Sequence, residues 1–302
     1  MLRAPIGKKN VGICEMDTDS FGTSDFSRRL SLMFYYPTDE KGEEYPYKDA
    51  AYQREKSSDK VDNGVKTYCY ANVSISKEKE KYPIIIYNHG LMGFQMESTV
   101  LCADLASSGY IVVSVGHPYG SGAITYADGT IFTPNDSFEI DRHNLTPLGE
   151  LWHEDICYAI GYLDRINTGD VECMFSRKMD LTQGVNLLGV SFGGCCGVDI
   201  ALSGEKIRCA INLEGGLFIE LTPVYTDRPI LVMCSPFNRR AHAKLAELGC
   251  NNIKVSKIKK ISHWEFSDGI YLSERGQNNH DFADLISVNR ARMCLDFLEY
   301  TP

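Results

Sequence analysis

A glycine-rich stretch in the second half of the chain has the pattern expected around a nucleophilic serine. The segment VNLLGVSFGGCCG places Ser191 in a Gly-x-Ser-x-Gly motif, after an apolar strand-like run and before a helix-forming run. A sharp strand-to-helix turn crowds the residues two before and two after the serine, and Gly189 and Gly193 carry no side chains to clash there. The serine oxygen is then exposed beside a helix N-terminus, which stabilises negative charge. We therefore predict that Ser191 is a nucleophile.

Acyl transfer also needs backbone N–H donors directed at the negative charge that develops on the attacked carbonyl oxygen. The N–H of Phe192, directly after the serine, is one expected donor. The second donor should lie on a glycine-rich loop after a buried strand, and NHGLMG follows YPIIIY in this way. We expect Leu91 to supply this N–H, and we expect His89 to orient the loop through a hydrogen bond.

The sequence offers one well-placed carboxylate to support a catalytic histidine. Motifs of this kind are followed along the chain by an acid and then a histidine. The strand that usually carries the acid is PILVMC, but it leads into residues 235–238 (SPFN), which hold no carboxylate. The preceding strand ends in Glu214 and two glycines, so we assign Glu214 as the acid. Asp227 precedes a strand and Asp199 lies within a predicted helix, which makes both unsuitable.

The general base should follow the last core strand and precede the C-terminal helix. His263 meets this requirement, because it opens the segment HWEFSD after NIKVSKIKKIS. His280 is the alternative, although HDFADL is more typical of the start of the final helix. His117 follows the strand YIVVSV and is expected to line the pocket. His153 lies beside Trp152 in a helical segment and is expected to be packed.

These residues predict a Ser-His-Glu hydrolase that acts through an acyl-enzyme. His263 would take the proton of Ser191, and Glu214 would hold the tautomer of the imidazole and stabilise its cation. Water would then release the acyl group. This chemistry calls for a small-molecule ester substrate and for no metal or organic cofactor.

Short apolar runs alternate with helix-period segments along most of the chain, which predicts an α/β protein. The expected strands are 82–88, 110–115, 185–189, 207–213, 229–234 and 252–258, and the expected helices are 97–108, 147–165, 194–203, 239–248 and 280–298. Continuous apolar strands that alternate with helices indicate a mostly parallel central sheet flanked by helices. With the serine motif, this pattern predicts the α/β-hydrolase fold. Residues 30–36 are expected to form an antiparallel N-terminal edge of the sheet with residues 8–16.

The predicted domain organisation is a single α/β-hydrolase domain over residues 1–302. Residues 39–81 are charged and rich in tyrosine, so we expect a surface excursion between two strands. Residues 118–146 are expected to form the rim of the pocket. Their polar composition argues against an apolar lid of the kind that interfacial lipases use.

The motifs together resemble the platelet-activating factor acetylhydrolase family, of the plasma type and its bacterial relatives. GVSFGG, NLEGGLF, HWEFSD and YNHGLMGF carry the resemblance, and VGICEMD and RRLSLMFYYP extend it towards the N-terminus. The resemblance implies Ser191 as nucleophile, His263 as base, and an acid at the position of Glu214, one strand earlier than usual. Members of the family hydrolyse short or oxidised acyl chains of phospholipids.

The sequence departs from the family pattern at three places, and these differences bear on which substrate is hydrolysed more than on the type of reaction. The family's acid is aspartate where this chain has Glu214. In the family's turn around the nucleophile, the nucleophile elbow, the residue before the serine is histidine, whereas this chain has Val190. The family's aromatic stretch after the acid is replaced by Gly215 and Gly216. We expect a serine esterase for short-acyl or phospholipid-like acetyl esters. The alternatives are a general, cutinase-like or dienelactone-hydrolase-like esterase, or a binding module without catalysis.

Composition excludes several other classes. The 302 residues include 31 Lys and Arg against 40 Asp and Glu, and the net charge of −9 argues against a nucleic-acid partner. No apolar run approaches the ~18 residues of a transmembrane helix. The N-terminus lacks the pattern of a secretory signal, and the 11 cysteines include no CxxC pair, so we expect a cytoplasmic protein with reduced thiols. The sequence leaves the oligomeric state open.

Overall fold

Alternating strands and helices build the chain over most of its length. The structure, a computed structural model, describes residues 2–23, 27–48, 65–133, 140–141, 143–204, 206–216, 219, 227–238 and 252–301. Within these segments the strands are β1 Asn10–Asp17, β2 Phe21–Gly22, β3 Ser27–Arg28, β4 Ser31–Thr38, β5 Glu44–Pro46, β6 Lys66–Ala71, β7 Tyr82–Asn88, β8 Ile111–Gly116, β9 Ile124–Thr125, β10 Ile131–Phe132, β11 Met179–Asp180, β12 Val185–Val190, β13 Ile207–Leu213, β14 Ile230–Cys234 and β15 Ile253–Lys257. The helices there are α1 Thr99–Ser107, α2 Thr146–Thr168, α3 Phe192–Ser203, α4 Gly269–Leu272, α5 Glu274–Asn278 and α6 His280–Tyr300, and a 3₁₀ turn covers His263–Phe266.

One large sheet runs through the molecule in the strand order β15-β14-β13-β12-β7-β8-β4-β1-β6-β5. Strands β15 to β8 in this order pair in parallel, and the short β11 pairs in parallel with β7. Strand β4 pairs antiparallel with both β8 and β1. The predicted mostly parallel sheet with an antiparallel N-terminal part is confirmed. The six core strands expected from residue 82 onward are present, with ends that differ from the prediction by one residue at most.

The N-terminal part of the sheet extends further than the sequence indicated. The β1–β4 hairpin lies inside the sheet, because β6 pairs in parallel with β1 and β5 pairs antiparallel with β6. The described ends of the expected 39–81 excursion therefore contribute two strands. In β6 the side chains of Thr67 and Cys69 are buried, while Tyr68 between them is more exposed. Residues 49–64 lie outside the described segments, as does the predicted helix 239–248.

The sheet is buried on both faces, which makes three layers. Along β7 the side chains alternate, with Ile84 and Ile86 facing the core under α2 and α3. Ile85 and Tyr87 face the core under α1 and α6. Side chains of a strand alternate between the two faces of a sheet, so a strand covered on both sides must be apolar throughout. This requirement explains the unbroken runs seen in the sequence. Of the helices within the described ranges, none combines the length and the apolar character needed to cross a bilayer.

The parallel strands bring their carboxyl ends to one edge of the sheet. Asn88 at the end of β7 pairs with Gly189 of β12, and Gly189 pairs in turn with Asn212 of β13. Leu213 pairs with Met233 near the end of β14. The segments that follow these four strands therefore meet at this edge, which we call the catalytic edge.

Candidate active site

Ser191 occupies a strained turn between β12 and α3. Its backbone has φ 54° and ψ −118°, a conformation that costs a residue with a side chain about 1–3 kcal/mol. Its N–H donates to the carbonyl oxygen of Leu213 at 2.8 Å, and its own carbonyl oxygen accepts the N–H of Cys195 at 3.0 Å. These bonds connect the turn to β13 and to the first turn of α3. The backbone of Ser191 is therefore held in place from both sides.

The two glycines of the motif allow this turn because backbone passes directly against them. A Cβ atom on Gly189 would overlap the backbone of Gly193. A Cβ atom on Gly193 would overlap the carbonyl groups of Asn88 and His89 at the end of β7. The turn thus packs against the loop after β7, and any larger residue at either position would have to displace backbone.

His263 lies within hydrogen-bonding distance of the serine. Its Nε2 is 2.9 Å from Oγ of Ser191, and its side chain is exposed to solvent. The 3₁₀ turn that carries it is closed by a capping box, in which the carboxylate of Glu265 accepts the N–H of Ser262 at 2.5 Å. Arg275 from α5 lies 3.3 Å from the same carboxylate. The turn is therefore fixed independently of the contact between His263 and Ser191.

Glu214 lies at the catalytic edge, but its carboxylate binds a serine. It is buried, has a positive φ of 57°, and its N–H donates to Met233 in β14. The carboxylate accepts the backbone N–H of Ser235 at 2.5 Å and the hydroxyl of Ser235 at 2.6 Å. Across the described residues no hydrogen bond joins Glu214 to His263, so the structure brings His263 to Ser191 without a contact to this acid. The side chain of Glu214 is one methylene longer than that of aspartate, and it reaches from the end of β13 to Ser235, which directly follows β14. In folds with this serine motif the acid usually follows that later strand.

The expected oxyanion donors flank the serine. The loop after β7 passes so close that a Cβ on Gly90 would lie 3.4 Å from Cβ of Ser191. Leu91 follows on this loop, and Phe192 begins α3. The N–H groups of these two residues donate to no acceptor among the described parts of the chain. A turn at Met92, with φ 60°, closes the loop, and its N–H donates to the carbonyl of residue 120 at 2.6 Å.

His89 is buried beneath this loop and orients it. Its Nδ1 lies 2.7 Å from the carbonyl oxygen of Gly90, and its Nε2 lies 2.7 Å from Oγ of Ser121. Burial, together with the neighbouring His117, lowers the pKa of His89 to about 3. The imidazole is therefore neutral near neutral pH, and it has the structural role that the sequence led us to expect.

His117 does not line an open pocket, which corrects the sequence-based expectation. It is completely buried and stacks on Trp152 with ring centres 3.9 Å apart. Its Nδ1 lies 3.1 Å from Asp155, which also binds Nε of Arg28 at 2.5 Å. Its Nε2 lies 3.2 Å from the side-chain oxygen of Asn88. The sequence placed His117 after the correct strand, but it could not show that α2 covers this position.

Two further histidines, His153 and His280, lie on helices. His153 on α2 is half-buried and lies 3.4 Å from Asp199, whose hydrogen bond is the main cause that raises the pKa of His153 to about 10. His280 is the first residue of α6, where the side chain of Asn279 caps the helix by accepting the N–H of Phe282. Among the described residues, neither histidine forms a hydrogen bond with Ser191.

Two buried carboxyl groups near the site were not anticipated. Glu97 accepts the N–H of Gly90 at 2.6 Å, and the hydroxyl of Tyr87 lies 3.1 Å from the same oxygen. Asp268 accepts the N–H of Val100 at 3.2 Å, and its own N–H donates to the carbonyl of Glu97 at 2.7 Å. Burial raises the pKa of Glu97 to about 7 and that of Asp268 to about 8. In the sequence these acids resemble solvated helix-end residues, so no signal marked them as buried.

The arrangement suits nucleophilic acyl transfer. A serine hydroxyl, an imidazole nitrogen in contact with it and two unoccupied N–H donors are the groups that this chemistry requires. In the described ranges, no three or more His, Cys, Asp or Glu side chains are grouped so that they could hold a metal ion.

Comparison with protein families and sequences shows that this chain is similar to platelet-activating factor acetylhydrolases. Residues 54–142 match the family model "Platelet-activating factor acetylhydrolase, isoform II", a range that contains the loop after β7. The platelet-activating factor acetylhydrolase of Cavia porcellus is 29% identical over 232 residues, covering 69% of this chain and 50% of that protein. The one from Gallus gallus is 24% identical over 237 residues, covering 65% and 55%. The chain thus spans about half the length of these relatives, and the resemblance to their family is confirmed.

Solved structures confirm the α/β-hydrolase fold. A ferulic acid esterase from Streptomyces cinnamoneus superposes with a TM-score of 0.73 at 21% identity, covering 91% of this chain and 81% of that one. An acylaminoacyl peptidase from Pyrococcus horikoshii gives a TM-score of 0.54 at 16% identity, covering 97% and 42%. At these identities the likeness concerns the fold alone.

The buried carboxyl of Asp268 leads to a prediction about stability and pH. The folded protein keeps a proton on Asp268 up to about pH 8, whereas a free aspartate loses it near pH 3.8. Its contribution to the free energy of unfolding is therefore greatest below pH 4 and is lost as the pH rises through 8. Asp268→Asn mimics the protonated form and removes this loss. Between pH 5 and 7 the stability of the wild type should fall relative to the variant by up to ~1.4 kcal/mol per pH unit.

Urea unfolding at pH 5, 6, 7 and 8 measures this difference. Asp296→Asn, a substitution at an exposed position on α6, serves as the matched control and should give a difference that does not depend on pH. Parallel stability profiles for the wild type and Asp268→Asn would contradict the prediction.

Proposed function

We propose that this protein is a serine carboxylic-ester hydrolase that acts through an acyl-enzyme. The observation that carries the proposal is the 2.9 Å contact between Oγ of Ser191 and Nε2 of His263. This contact occurs at a strained strand-to-helix turn, beside two backbone N–H groups that have no acceptor within the described segments. The confirmed resemblance to platelet-activating factor acetylhydrolases supports the same reaction.

The reaction uses the groups in a fixed order. Neutral His263 accepts the proton of Ser191 as Oγ attacks the carbonyl carbon of the ester, and the C=O electrons move to the oxygen. The N–H groups of Leu91 and Phe192 bind this oxyanion. His263 then protonates the leaving alcohol, and the same groups repeat the sequence with water to release the acid.

Glu214 is the proposed acid of the triad. A carboxylate has about four lone-pair positions, and the two donors of Ser235 occupy only part of this capacity. Gly215 brings this segment against the serine, since a Cβ there would overlap the carbonyl oxygen of Ser191. The buried negative charge of Glu214 at this edge favours the imidazolium form of His263 that develops during the reaction. Ser235 then acts as the group that holds the carboxylate in place.

Short-acyl esters, including phospholipid-like acetyl esters, are the proposed substrates. The curated relatives are named platelet-activating factor acetylhydrolases. In addition, exposed apolar side chains follow three of the parallel strands whose carboxyl ends lie at the catalytic edge. These side chains are Met92, Phe237 and Trp264. We also infer a reducing, cytoplasmic location, which is supported by the odd number of cysteines, 11, and by the lack of a CxxC pair in the sequence.

Hydrolysis of p-nitrophenyl esters with acyl chains of two to twelve carbons tests the reaction. Ser191→Ala and His263→Ala should each lower kcat by at least about 10³-fold, because each removes a member of one proton-transfer unit. His280→Ala is the matched control and should retain full activity. Activity should be highest for the shortest chains. A wild type that hydrolyses none of these esters and takes up no fluorophosphonate would contradict the proposal, while equal rates along the series would indicate a general esterase.

Glu214→Gln tests the proposed acid separately. The amide keeps the size of the side chain and an acceptor for Ser235, but it lacks the charge that stabilises the imidazolium. We expect kcat to fall by about 10²- to 10⁴-fold with little change in KM. Ser235→Ala, which removes one of the two donors to Glu214, should cause a smaller loss in the same direction. Full activity in Glu214→Gln would show that this residue is not the acid.

A further inference from the structure

Glu97 is a buried carboxyl group in direct contact with the loop that carries an oxyanion donor. Only 8% of the residue is exposed, and it precedes α1 on the side of the sheet opposite α3. Its Oε1 accepts the N–H of Gly90 at 2.6 Å. A Cβ on Gly93 would overlap Oε2 of the same carboxyl group. The carboxyl group therefore occupies the inside of the loop between these two glycines.

The bond to Gly90 has a geometric consequence for the next residue. The Gly90 carbonyl and the N–H of Leu91 belong to one planar peptide unit, so the direction of that carbonyl sets the direction of the N–H. The N–H of Gly90, which Glu97 accepts, belongs to the preceding unit and fixes the chain on the other side of the Gly90 Cα. The Gly90 carbonyl is itself held by Nδ1 of His89 and by the N–H of Gly93, at 2.7 and 2.9 Å. His89 thus holds the peptide unit that carries the proposed oxyanion donor, and Glu97 holds the unit before it, so the chain is fixed on both sides of the Gly90 Cα.

The surroundings of Glu97 hold its carboxyl group in one position. The hydroxyl of Tyr87 lies 3.1 Å from Oε1 and 2.7 Å from Oγ of Ser98. The N–H of Asp268 donates to the backbone carbonyl of Glu97, which connects it to the segment that bears His263. Asp268 lies close enough to Glu97 for the charge of Glu97 to raise its pKa, and Arg290 of α6 lies close enough to Asp268 to lower the pKa of that carboxyl group.

We propose that Glu97 is a positioning residue for catalysis, which holds the loop so that the N–H of Leu91 meets the oxyanion. A buried carboxyl group is costly for stability unless it forms hydrogen bonds. Among the described residues, the shortest hydrogen bond of the Glu97 carboxyl group is the one that it accepts from the N–H of Gly90 in the loop. The inference rests on the proposed ester hydrolysis. The oxyanion forms only on the way to the transition state, so a displaced donor lowers kcat and leaves substrate binding nearly unchanged.

Three variants separate this role from a merely structural one. Glu97→Leu removes the acceptor, and Glu97→Asp withdraws the carboxylate from Gly90 by one methylene. Glu97→Gln keeps an amide oxygen of the same reach. Loss of a single oxyanion donor costs about 10²- to 10³-fold in kcat, so a displaced donor should cost about 10- to 100-fold. We expect this loss in the Leu and Asp variants, with KM within about threefold of the wild type.

The test is steady-state kinetics with p-nitrophenyl acetate, with circular dichroism and urea unfolding to verify that each variant is folded. Glu97→Gln should restore kcat to within about threefold of the wild type, and the exposed control Glu80→Leu should match the wild type. A folded Leu or Asp variant with wild-type kcat would overturn the inference, as would an equal loss in the Gln and Asp variants. If the Leu variant does not fold, the comparison of Asp with Gln decides. A wild type without activity or fluorophosphonate labelling would instead overturn the proposed function.

Discussion

The close packing of backbone around the serine turn is the constraint on which the rest of the site depends. Gly189 and Gly193 allow the end of β12 and the start of α3 to approach each other and the end of β7. This approach gives Ser191 its positive φ and holds the loop after β7 beside it. The same contact therefore determines where the proposed nucleophile and the proposed oxyanion donors lie. A strained residue persists in this way only when its surroundings leave it no alternative.

Buried polar groups hold the loops around this turn. On one side of the sheet, Asp155 binds His117, which also contacts Asn88 at the end of β7. On the other side, Glu97 binds the loop itself and Asp268 caps the start of α1. Such groups contribute little net stability, because the cost of removing polar groups from water offsets most of the gain from their hydrogen bonds. Their benefit is directional, since a hydrogen bond fixes a loop more narrowly than apolar packing does.

Much of this arrangement could be predicted from the sequence, because it rests on local patterns. The core strands from residue 82 onward and the elbow around Ser191 depend on neighbouring residues, and they were found with nearly correct bounds. The short strands β5 and β6 were missed because half-buried strands near the edge of a sheet resemble polar loops. The contact between Glu214 and Ser235 joins two different strands, and the burial of Glu97 and His117 depends on helices distant in sequence. These features follow from tertiary packing, which no local pattern contains.

We propose that Ser191 is an activated nucleophile and that two backbone N–H groups bind the oxyanion of its transition state. A crystal structure of the protein after reaction with a fluorophosphonate tests this most directly, since the phosphonyl group mimics the tetrahedral intermediate. We expect phosphorus bonded to Oγ of Ser191 and its P=O oxygen ~2.7–3.1 Å from the N–H groups of Leu91 and Phe192. An unlabelled Ser191, or an adduct whose oxygen points into solvent away from both groups, would contradict it.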